Sequence, residues 1–267
     1  MKKSFGKIKA FFLILFFVGT LFCGEIYAGD LLIQANNISG PYSDESDLAE
    51  FDDDFDDDED EEELVVYDPI EPLNRAVFWF NDKFYFFLLK PVAKVYRIVP
   101  EPTRISVANF YSNLFTTQRF VNSLLQFKGM GALTELERFV INSTIGVGGF
   151  FDPAKKWFHI NKVEEDFGQT LGVYGLGPGF YIVLPFFGPS NLRDTVGLAV
   201  DSFLDPVPYA LPEQHRHLIY AGIISFYVIN YTSLDKDTYE SIKQQALDPY
   251  LFIRNAYTQK RDKAITE

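Results

Sequence analysis

The chain has 267 residues, a net charge of −13, 17% aromatic residues and a single cysteine. Most of the negative charge lies in residues 44–63, which contain 15 acidic residues and neither lysine nor arginine. Residues 64–267 contain 20 basic and 20 acidic residues, so they give no indication of a basic face for nucleic acid. Because this segment has no cysteine, it has neither a disulfide nor a thiolate metal site.

The N-terminal part of the chain has the features of an export signal followed by an acidic arm. Four lysines precede an apolar run over residues 11–22, which is too short to span a bilayer and is typical of a secretory signal. We predict a signal peptide over residues 1–28, with cleavage after Ala28. The alternative is lipid attachment at Cys23, although a bulky phenylalanine precedes this cysteine. Residues 29–63 are predicted to be a disordered acidic arm because their like charges repel one another.

Residues 64–267 are predicted to form one compact, mainly α-helical domain. Asp68 is positioned to cap a first helix, with Pro69 at the first helical position. The segment from residue 76 to 89 is apolar almost all round, apart from three polar residues at positions 81–83. It is too short for a simple transmembrane span and too apolar for a solvated surface helix. We therefore expect it to be deeply buried or to lie in lipid.

Further helices are predicted on both sides of a glycine-rich centre. Helical periodicity continues over residues 103–127, with a break near residues 116–117, and resumes from residue 133 to 146. Residues 218–229 form another apolar helical segment that is too short to span a bilayer. Polar helical turns are expected from residue 235 onwards.

The glycine-rich centre, from Glu165 to Asp205, is predicted to be a loop platform because it has too many helix breakers for a long helix. Aromatic and β-branched residues over 180–187 favour a short extended segment or hairpin. Ser190 is expected to cap a helix that ends near Asp205. The glycines either form tight turns beneath helices or allow bare backbone to bend around a pathway, and the sequence leaves both readings open.

No arrangement of side chains indicates catalysis or metal binding. His159, His215 and His217 have no carboxylate or further histidine nearby at a ligand spacing. The chain has no G-x-S-x-G motif, and the acidic run at residues 164–166 is typical of an exposed charged turn. We therefore predict a protein that is not an enzyme, with no cofactor, catalytic site or metal site.

Several short motifs occur in a fixed order over about residues 67–257. They include Asp68-Pro69-x-Glu71-Pro72-x-Asn74-Arg75, Pro100-x-Pro102-x-Arg104, Asn142-x-Thr144-x-Gly146-x-Gly148-Gly149-x-x-Asp152, Glu165-Asp166-Phe167-Gly168-Gln169-Thr170-Leu171-Gly172, Gly188-Pro189-Ser190 and Arg193-Asp194. With these motifs in this order the chain resembles the VacJ/MlaA family. The combination is more specific than any single glycine motif.

The resemblance implies a fold, a location and a set of partners. Its members are mainly helical proteins whose amphipathic helices form a ring around a channel, seated in the inner leaflet of a Gram-negative outer membrane on the periplasmic side. They associate with trimeric porins and deliver lipid to a soluble periplasmic carrier. The expected partners of this chain are therefore phospholipids, the outer membrane, a trimeric porin and such a carrier.

The implied function is intermembrane phospholipid transport, in which mislocalised phospholipids are removed from the outer leaflet of the outer membrane and lipid asymmetry is maintained. An envelope structural or interaction module and a phospholipid hydrolase are the alternatives. Because a charge facing hydrocarbon is costly, the polar residues at 81–83 are expected to face water, headgroups or a hydrated channel. A surface turn between two short helices is the other interpretation of these residues. The candidate lipid pathway comprises Phe78, Phe80, Asn81, Asp82, Lys83, Tyr181 and Arg193.

Overall fold

The computed structural model describes residues 65–235 and 237–266, so the predicted signal peptide and acidic arm lie outside the described residues. The predicted mainly helical fold with one short hairpin is confirmed. The helices are α1 (Glu71–Phe84), α2 (Lys90–Tyr96), α3 (Glu101–Leu114), α4 (Thr116–Leu125), α5 (Gly129–Thr144), α6 (Pro153–Phe158), α7 (Phe167–Val173), α8 (Leu192–Asp201), α9 (Val207–Ala210), α10 (Arg216–Leu234), α11 (Thr238–Gln245) and α12 (Pro249–Thr266). A π-helical turn, Tyr85–Leu89, joins α1 to α2, and a 3₁₀ turn, Ser202–Leu204, follows α8.

The N-cap of helix α1 is not the residue predicted from the sequence, Asp68, but lies two residues later. Its N-cap residue is Ile70, and Pro72 lies in its first turn, where a missing N–H costs nothing. The Asp68 carboxylate is used elsewhere, since it accepts hydrogen bonds from Asn74 at 2.8 Å and from the hydroxyl of Tyr250. Asp68 therefore ties the start of the domain to α12 instead of capping α1.

The glycine-rich centre is more regular than the predicted loop platform. It contains the short helix α7, which is capped by the Asp166 carboxylate accepting from the Gln169 N–H at 2.8 Å. The cap of α8 is Asn191, whose side-chain oxygen accepts from the Asp194 N–H at 2.7 Å. The predicted cap, Ser190, lies one residue earlier in a strand. The break near residues 116–117 falls at Phe115, between α3 and α4.

The hairpin consists of β1 (Tyr181–Leu184) and β2 (Gly188–Asn191), paired antiparallel with Tyr181 opposite Asn191. Two asparagines of α1, seven residues apart and so on one helical face, attach this hairpin to the helix. Asn74 donates to the Tyr181 carbonyl at 3.0 Å and accepts from the Val183 N–H at 2.8 Å. Asn81 repeats this double contact at the turn, with distances of 2.9 and 2.7 Å. These bonds satisfy backbone groups that an isolated hairpin would leave open.

The apolar core lies between the hairpin, α10 and α12. Tyr181 and Val183 of β1 pack in one cluster with Val228 of α10 and with Tyr250 and Tyr257 of α12. A smaller cluster joins Tyr111, Phe115 and Tyr227 where α3 meets α10. The apolar segment at 218–229, predicted to be helical, thus lies inside α10 and supplies the centre of both clusters.

Helix α5 has an inverted distribution of polar and apolar side chains. It buries Glu135, Arg138 and Asn142 on one face. The opposite face, which we call the outer apolar face, exposes apolar side chains to between 41% and 51% of their full area. It consists of Leu133, Leu136, Phe139 and Val140. Helix α5 therefore presents apolar residues outward and polar residues inward, the reverse of a helix on a water-soluble protein.

Helices α4 and α8 have the same inverted distribution of polar and apolar side chains. Helix α4 buries Thr116, Gln118, Asn122 and Ser123, while Leu124 and Leu125 are exposed. Helix α8 buries Arg193, Asp194 and Asp201 and exposes Leu192 and Val196. None of the helices in residues 65–235 and 237–266 is long and apolar enough to cross a membrane.

Candidate functional site

Some residues of these inward polar faces, namely Gln118, Arg138, Asp194 and Asp201, line a cavity of about 740 Å³. Its walls come from α3, α4, α5, α6, α7, α8, α10 and α12, so residues far apart in the chain meet there. The volume lies within the range of about 300–1,000 Å³ that is typical of small-molecule sites. Asn109 and Ser112 of α3, Tyr231 of α10 and Ala264 of α12 are among the lining residues.

The cavity lining is rich in charge of both signs. The basic lining residues are Arg119, Arg138, Lys155, Lys156, Lys162, Lys260 and Arg261. The acidic lining residues are Asp152, Glu164, Glu165, Asp166, Asp194 and Asp201. Such a density of charge in a cleft is typical of a hydrated or ligand-filled site and not of an apolar core.

The most buried ion pairs of the cavity lie where α7, α8 and α12 meet. The Arg261 guanidinium bonds Asp166 at 2.5 and 2.9 Å and Asp194 at 2.8 and 2.9 Å, so it joins two carboxylates. Tyr257 donates to Asp194 at 2.6 Å, and Arg193 donates to it at 2.9 Å. The contacts are charge-assisted and bidentate, which makes them strong and geometrically specific.

The protonation states of this network follow from burial and charge. Burial alone would raise the pKa of Asp166, but the Arg261 charge and hydrogen bonds from Arg261 and Gln169 lower it to about 2. Burial and the nearby Asp194 charge raise the pKa of the Tyr257 hydroxyl well above its ordinary value. The pKa of Lys260 is lowered, chiefly by burial, against the attraction of Glu164.

A second network, on the α5 side, centres on the fully buried carboxylate of Glu135. It accepts from Arg119 of α4 at 2.7 Å and from the Val163 N–H at 2.8 Å. Arg138, one turn further along α5, donates to Asp152 at 2.9 Å and to the Ile160 carbonyl. These two side chains connect α4, the α5–α6 loop and the segment before α7.

Three buried atoms on cavity-lining side chains have no hydrogen-bond partner in the described part of the chain. They are the Oε1 acceptors of Gln118 and Gln169 and the Nε–H donor of Arg138. Each of these residues is 5% exposed. Because buried polar atoms are normally satisfied, these three atoms are exceptions behind the cavity wall.

Comparison with known proteins bears directly on this arrangement. A family model described as MlaA lipoprotein matches residues 66–264, which is most of the chain and all of the cavity. The chain belongs to the MlaA lipoprotein family. This confirms the family resemblance seen in the sequence motifs.

Members of the MlaA family from several bacteria are similar over most of their length. A protein of Escherichia coli (strain K12) named intermembrane phospholipid transport system lipoprotein MlaA is 34% identical over 200 residues, covering 73% of this chain and 77% of the relative. Its counterpart in Haemophilus influenzae is 32% identical over 206 residues, covering 72% and 76%. An uncharacterised protein of Rickettsia prowazekii is 33% identical over 204 residues, covering 76% and 79%.

A solved structure supports the family assignment at the level of the fold. It belongs to a study named "Structural basis for maintenance of bacterial outer membrane lipid asymmetry". The match has a TM-score of 0.62 and 31% sequence identity, and it covers 74% of this chain and 98% of the solved chain. The mainly helical architecture is therefore shared with that MlaA-like protein.

The candidate lipid pathway predicted from the sequence lies apart from the cavity. None of its seven residues, all of which the structure describes, is among the residues that line the cavity. Phe78 packs on Tyr250, and Phe80 packs on Phe186 of the hairpin turn. Tyr181 is buried in the core, whereas Arg193 is held beside Asp194 at the rear of the charged network. A lipid route along these residues stays a prediction.

The polar residues at 81–83 differ from the sequence prediction in one respect. Asp82 does not face water, since it is 5% exposed and accepts from Lys243 at 2.6 Å and from Tyr239 at 3.0 Å. Asn81 attaches the hairpin, and Lys83 lies over the Trp79 ring. The sequence does not show that α11 packs next to α1. This packing brings Lys243 of α11 to Asp82 and neutralises the carboxylate.

Polar stripes in the sequence indicate only a few of the cavity residues. Glu135, Arg138 and Asn142 recur at spacings of three and four residues on one helical face, and of these Arg138 lines the cavity. Gln118 and Asn122 show the same spacing in α4, and of these Gln118 lines it. Of the three histidines, only His159 lines the cavity, and no group able to hold a metal ion occurs within the described residues.

Proposed function

We propose that this protein transports phospholipids between envelope membranes. In this role it removes mislocalised phospholipids from the outer leaflet of the outer membrane and passes them on, which maintains lipid asymmetry. The names of three relatives, which describe intermembrane phospholipid transport, support the proposal. It is a transport role, and we do not assign a reaction to the chain.

The observation that carries the proposal is the inverted distribution of side chains around the cavity. Helices α4, α5 and α8 expose apolar residues and bury polar ones, so their outer surfaces suit hydrocarbon and their inner surfaces suit water or headgroups. A phospholipid has the same two parts, an apolar tail and a polar head. A cavity with charged side chains in its wall, inside an apolar shell, lowers the cost of taking a headgroup through a region that excludes it.

The exposed apolar surfaces support a location in a membrane. We infer that the protein is seated in the inner leaflet of the outer membrane and faces the periplasm, with the outer apolar face in lipid. A trimeric porin is the inferred neighbour in the membrane, and a soluble periplasmic carrier is the inferred recipient of the lipid. These two partners rest on the resemblance to the family.

The proposal is tested by filling the cavity. Ala264 of α12 lines the cavity, whereas Asp262, two residues earlier on the same helix, is exposed and does not line it. Ala264→Trp is expected to leave the protein folded and to increase outer-leaflet phospholipid in cells whose own copy is deleted. Asp262→Trp is the matched control and is expected to restore asymmetry. Outer-leaflet phospholipid is measured by labelling intact cells with an impermeant amine reagent.

The alternatives give different results in the same cells. A purely structural envelope module would tolerate Ala264→Trp, because its function would not depend on an open cavity. A phospholipid hydrolase would release fatty acid or headgroup when the purified protein is incubated with vesicles, and lipid product analysis would detect it. Normal asymmetry with Ala264→Trp would overturn the transport proposal.

A further inference from the structure

Helix α6 separates the charged cavity from an exposed aromatic surface. Lys155, Lys156 and the following His159 line the cavity. Trp157 and Phe158, which lie between them in the sequence, do not line it and are 67% and 51% exposed. One short helix therefore directs cations to its inner side and aromatic rings to its outer side.

Helix α6 is held rigidly from beneath by two buried side chains of α5. Asn142 donates to the Asp152 carboxylate at 2.9 Å and accepts from the Ala154 N–H at 3.1 Å. Arg138 donates to Asp152 at 2.9 Å at the start of α6 and to the Ile160 carbonyl just past its end. Both ends are thus fixed, and a rigid element positions its side chains more accurately than a loop does.

Groups in the cavity beyond α6 complement a polar headgroup. Arg138, Lys162 and Lys260 contribute cationic side chains to the cavity lining. Glu164 and Glu165 of the same lining supply acceptor oxygens. Phosphate oxygens only accept hydrogen bonds, so they fit the donors, whereas the ammonium or hydroxyl end of a headgroup fits the acceptors.

The outer side of α6 suits the boundary between lipid tails and water. Tryptophan and phenylalanine rings with lysine next to them are typical of residues at a membrane interface, where the rings lie at headgroup level and the cations meet phosphates. Phe150 and Phe151, just before α6, are also exposed, to 42% and 55%. The aromatic surface therefore extends beyond the helix itself.

We propose that α6 is the loading edge at which a phospholipid enters the cavity. The phosphodiester group binds Lys155 and Lys156 on the inner side, while the acyl chains stay against Trp157 and Phe158 on the outer side. This inference rests on the proposed transport function and assigns a phosphodiester site within it. In this arrangement the headgroup lies on the inner side of α6 and the acyl chains lie on its outer side.

The phosphodiester part of the proposal is tested by neutralising the lysines. The full-length protein is purified in detergent, and phospholipid phosphorus is measured per mole of protein for Lys155→Gln with Lys156→Gln and for the control Lys94→Gln. Lys94 is an exposed lysine of α2 outside the cavity. The double variant is expected to bind phospholipid roughly 30-fold more weakly, from the loss of two lysine–phosphate attractions, and therefore to retain less phospholipid phosphorus per mole of protein. The control is expected to match the natural protein.

The outcomes separate this inference from the transport function. If the natural protein retains no phospholipid, the transport proposal fails, and the loading edge fails with it. If the natural protein and the double variant retain phospholipid equally, transport stands and the loading edge is wrong. Glycerophosphoethanolamine, which has the phosphodiester group without acyl chains, is added as a competitor. Displacement of all lipid by millimolar glycerophosphoethanolamine would show a simple headgroup site and would also overturn the loading edge.

The acyl-chain part is tested by fluorescence. The chain has two tryptophans, so Trp79→Phe leaves Trp157 as the only one. Phospholipid vesicles with bromine on the acyl chains are expected to quench Trp157 strongly, whereas bromide ion in water is expected to quench it weakly. Quenching by the aqueous ion alone would mean that α6 does not meet lipid tails, which contradicts the proposal.

Discussion

At the residue scale, the polar groups of the interior are specific and costly to break. Glu135 is fully buried, and its two oxygens accept from the Arg119 guanidinium and the Val163 N–H. Removing one partner of a buried pair leaves the other charge without compensation, which costs more than the pair contributes. The buried Glu135 thus fixes Arg119, which itself lines the cavity.

Glu135→Ala is expected to lower the free energy of unfolding by about 3 kcal/mol, because it leaves the Arg119 charge and the Val163 N–H unsatisfied. Glu137, two residues along α5, is exposed and has no recorded partner among the described residues. Glu137→Ala is the matched control, with an expected change within about 0.5 kcal/mol. Urea unfolding in detergent, followed by circular dichroism, measures both. Equal midpoints for the two variants would contradict the importance of this carboxylate.

Asp166 gives the cavity wall a defined response to acid. Its pKa is about 2 in the folded protein, below the ordinary value of 3.8, because Arg261 outweighs burial. A carboxylate with a depressed pKa contributes stability that is complete above pH about 4 and is lost as the pH falls towards 2. Asp166→Asn is therefore expected to make stability fall less steeply over this interval, by up to about 1.4 kcal/mol per pH unit.

The measurement is the free energy of unfolding from pH 5 to pH 2 for the natural protein and for Asp166→Asn. Both should lose stability in acid, since the pKa of Asp152, where Arg138 outweighs burial, is also lowered. The difference between the two slopes of unfolding free energy against pH gives the contribution of Asp166. Parallel curves would mean that Asp166 keeps its ordinary pKa on folding.

Residue-level predictions from the sequence succeeded only where local spacing decides the contact. The helix caps predicted at Asp68 and Ser190 were wrong. Asp68 instead accepts a hydrogen bond from the Tyr250 hydroxyl of α12, and Asn191 is the residue that caps α8. The burial of Asp82 depends on Lys243, 161 residues away in the chain. Partners at such separations are set by tertiary packing, which propensity and spacing do not encode.

At the scale of elements, α7 and α8 approach so closely that glycine is required at their contact. A Cβ added to Gly197 of α8 would lie 2.7 Å from the Gly168 Cα of α7. A Cβ on Gly168 would lie 2.5 Å from Asp194 and 2.8 Å from Arg261. The glycine-rich centre thus brings two helices together at the charged network, which favours the interpretation of close packing at these positions.

Gly197→Ala is expected to destabilise the protein by about 1–3 kcal/mol or more, because its methyl group meets backbone atoms that cannot rotate away. Gly222 in the middle of α10 is the control, since a Cβ there would have nothing within 4 Å. Gly222→Ala is expected to be neutral or stabilising by up to about 1 kcal/mol, because alanine favours the helix. Thermal unfolding in detergent distinguishes the two, and similar melting temperatures would refute the close contact.

Elements were more predictable than residues. The helices on both sides of the centre, the break at Phe115 and the hairpin near residues 180–187 were apparent from periodicity, breakers and β-branched runs. Which side of each helix points into the protein was not apparent from the sequence. Periodicity identifies an amphipathic helix such as α5 but does not say whether water or lipid lies on its apolar side.

At the scale of the whole molecule, the outer apolar face is expected to hold the protein in the membrane without a lipid anchor. Replacing Cys23→Ser removes any acylation site, and the protein is nevertheless expected in the membrane fraction, because apolar burial contributes roughly 25 cal/mol per Å². Adding Leu133→Asp and Leu136→Asp is expected to release it into the soluble fraction. Fractionation and immunoblotting test this. A Cys23→Ser protein found wholly in the soluble periplasmic fraction would disprove the expectation.

The family could be predicted from the sequence because its motifs are spread over the whole domain in a fixed order, so that no single helix has to be interpreted correctly. The cavity could not be located, because its wall combines residues from Ile105 to Ala264 that meet only in the folded chain. The polar stripe of α5 was visible, but only Arg138 of that stripe lines the cavity.

The outer apolar face also makes stability depend on the surroundings. An amphiphile that binds Leu133, Leu136 and Phe139 of the native chain more strongly than it binds the unfolded chain enters the folding equilibrium as a linked ligand through its free concentration. A melting temperature for this protein is then a joint property of the chain and the detergent. That temperature should rise as detergent is added up to the micelle threshold and level off above it, because the free detergent concentration then stays constant.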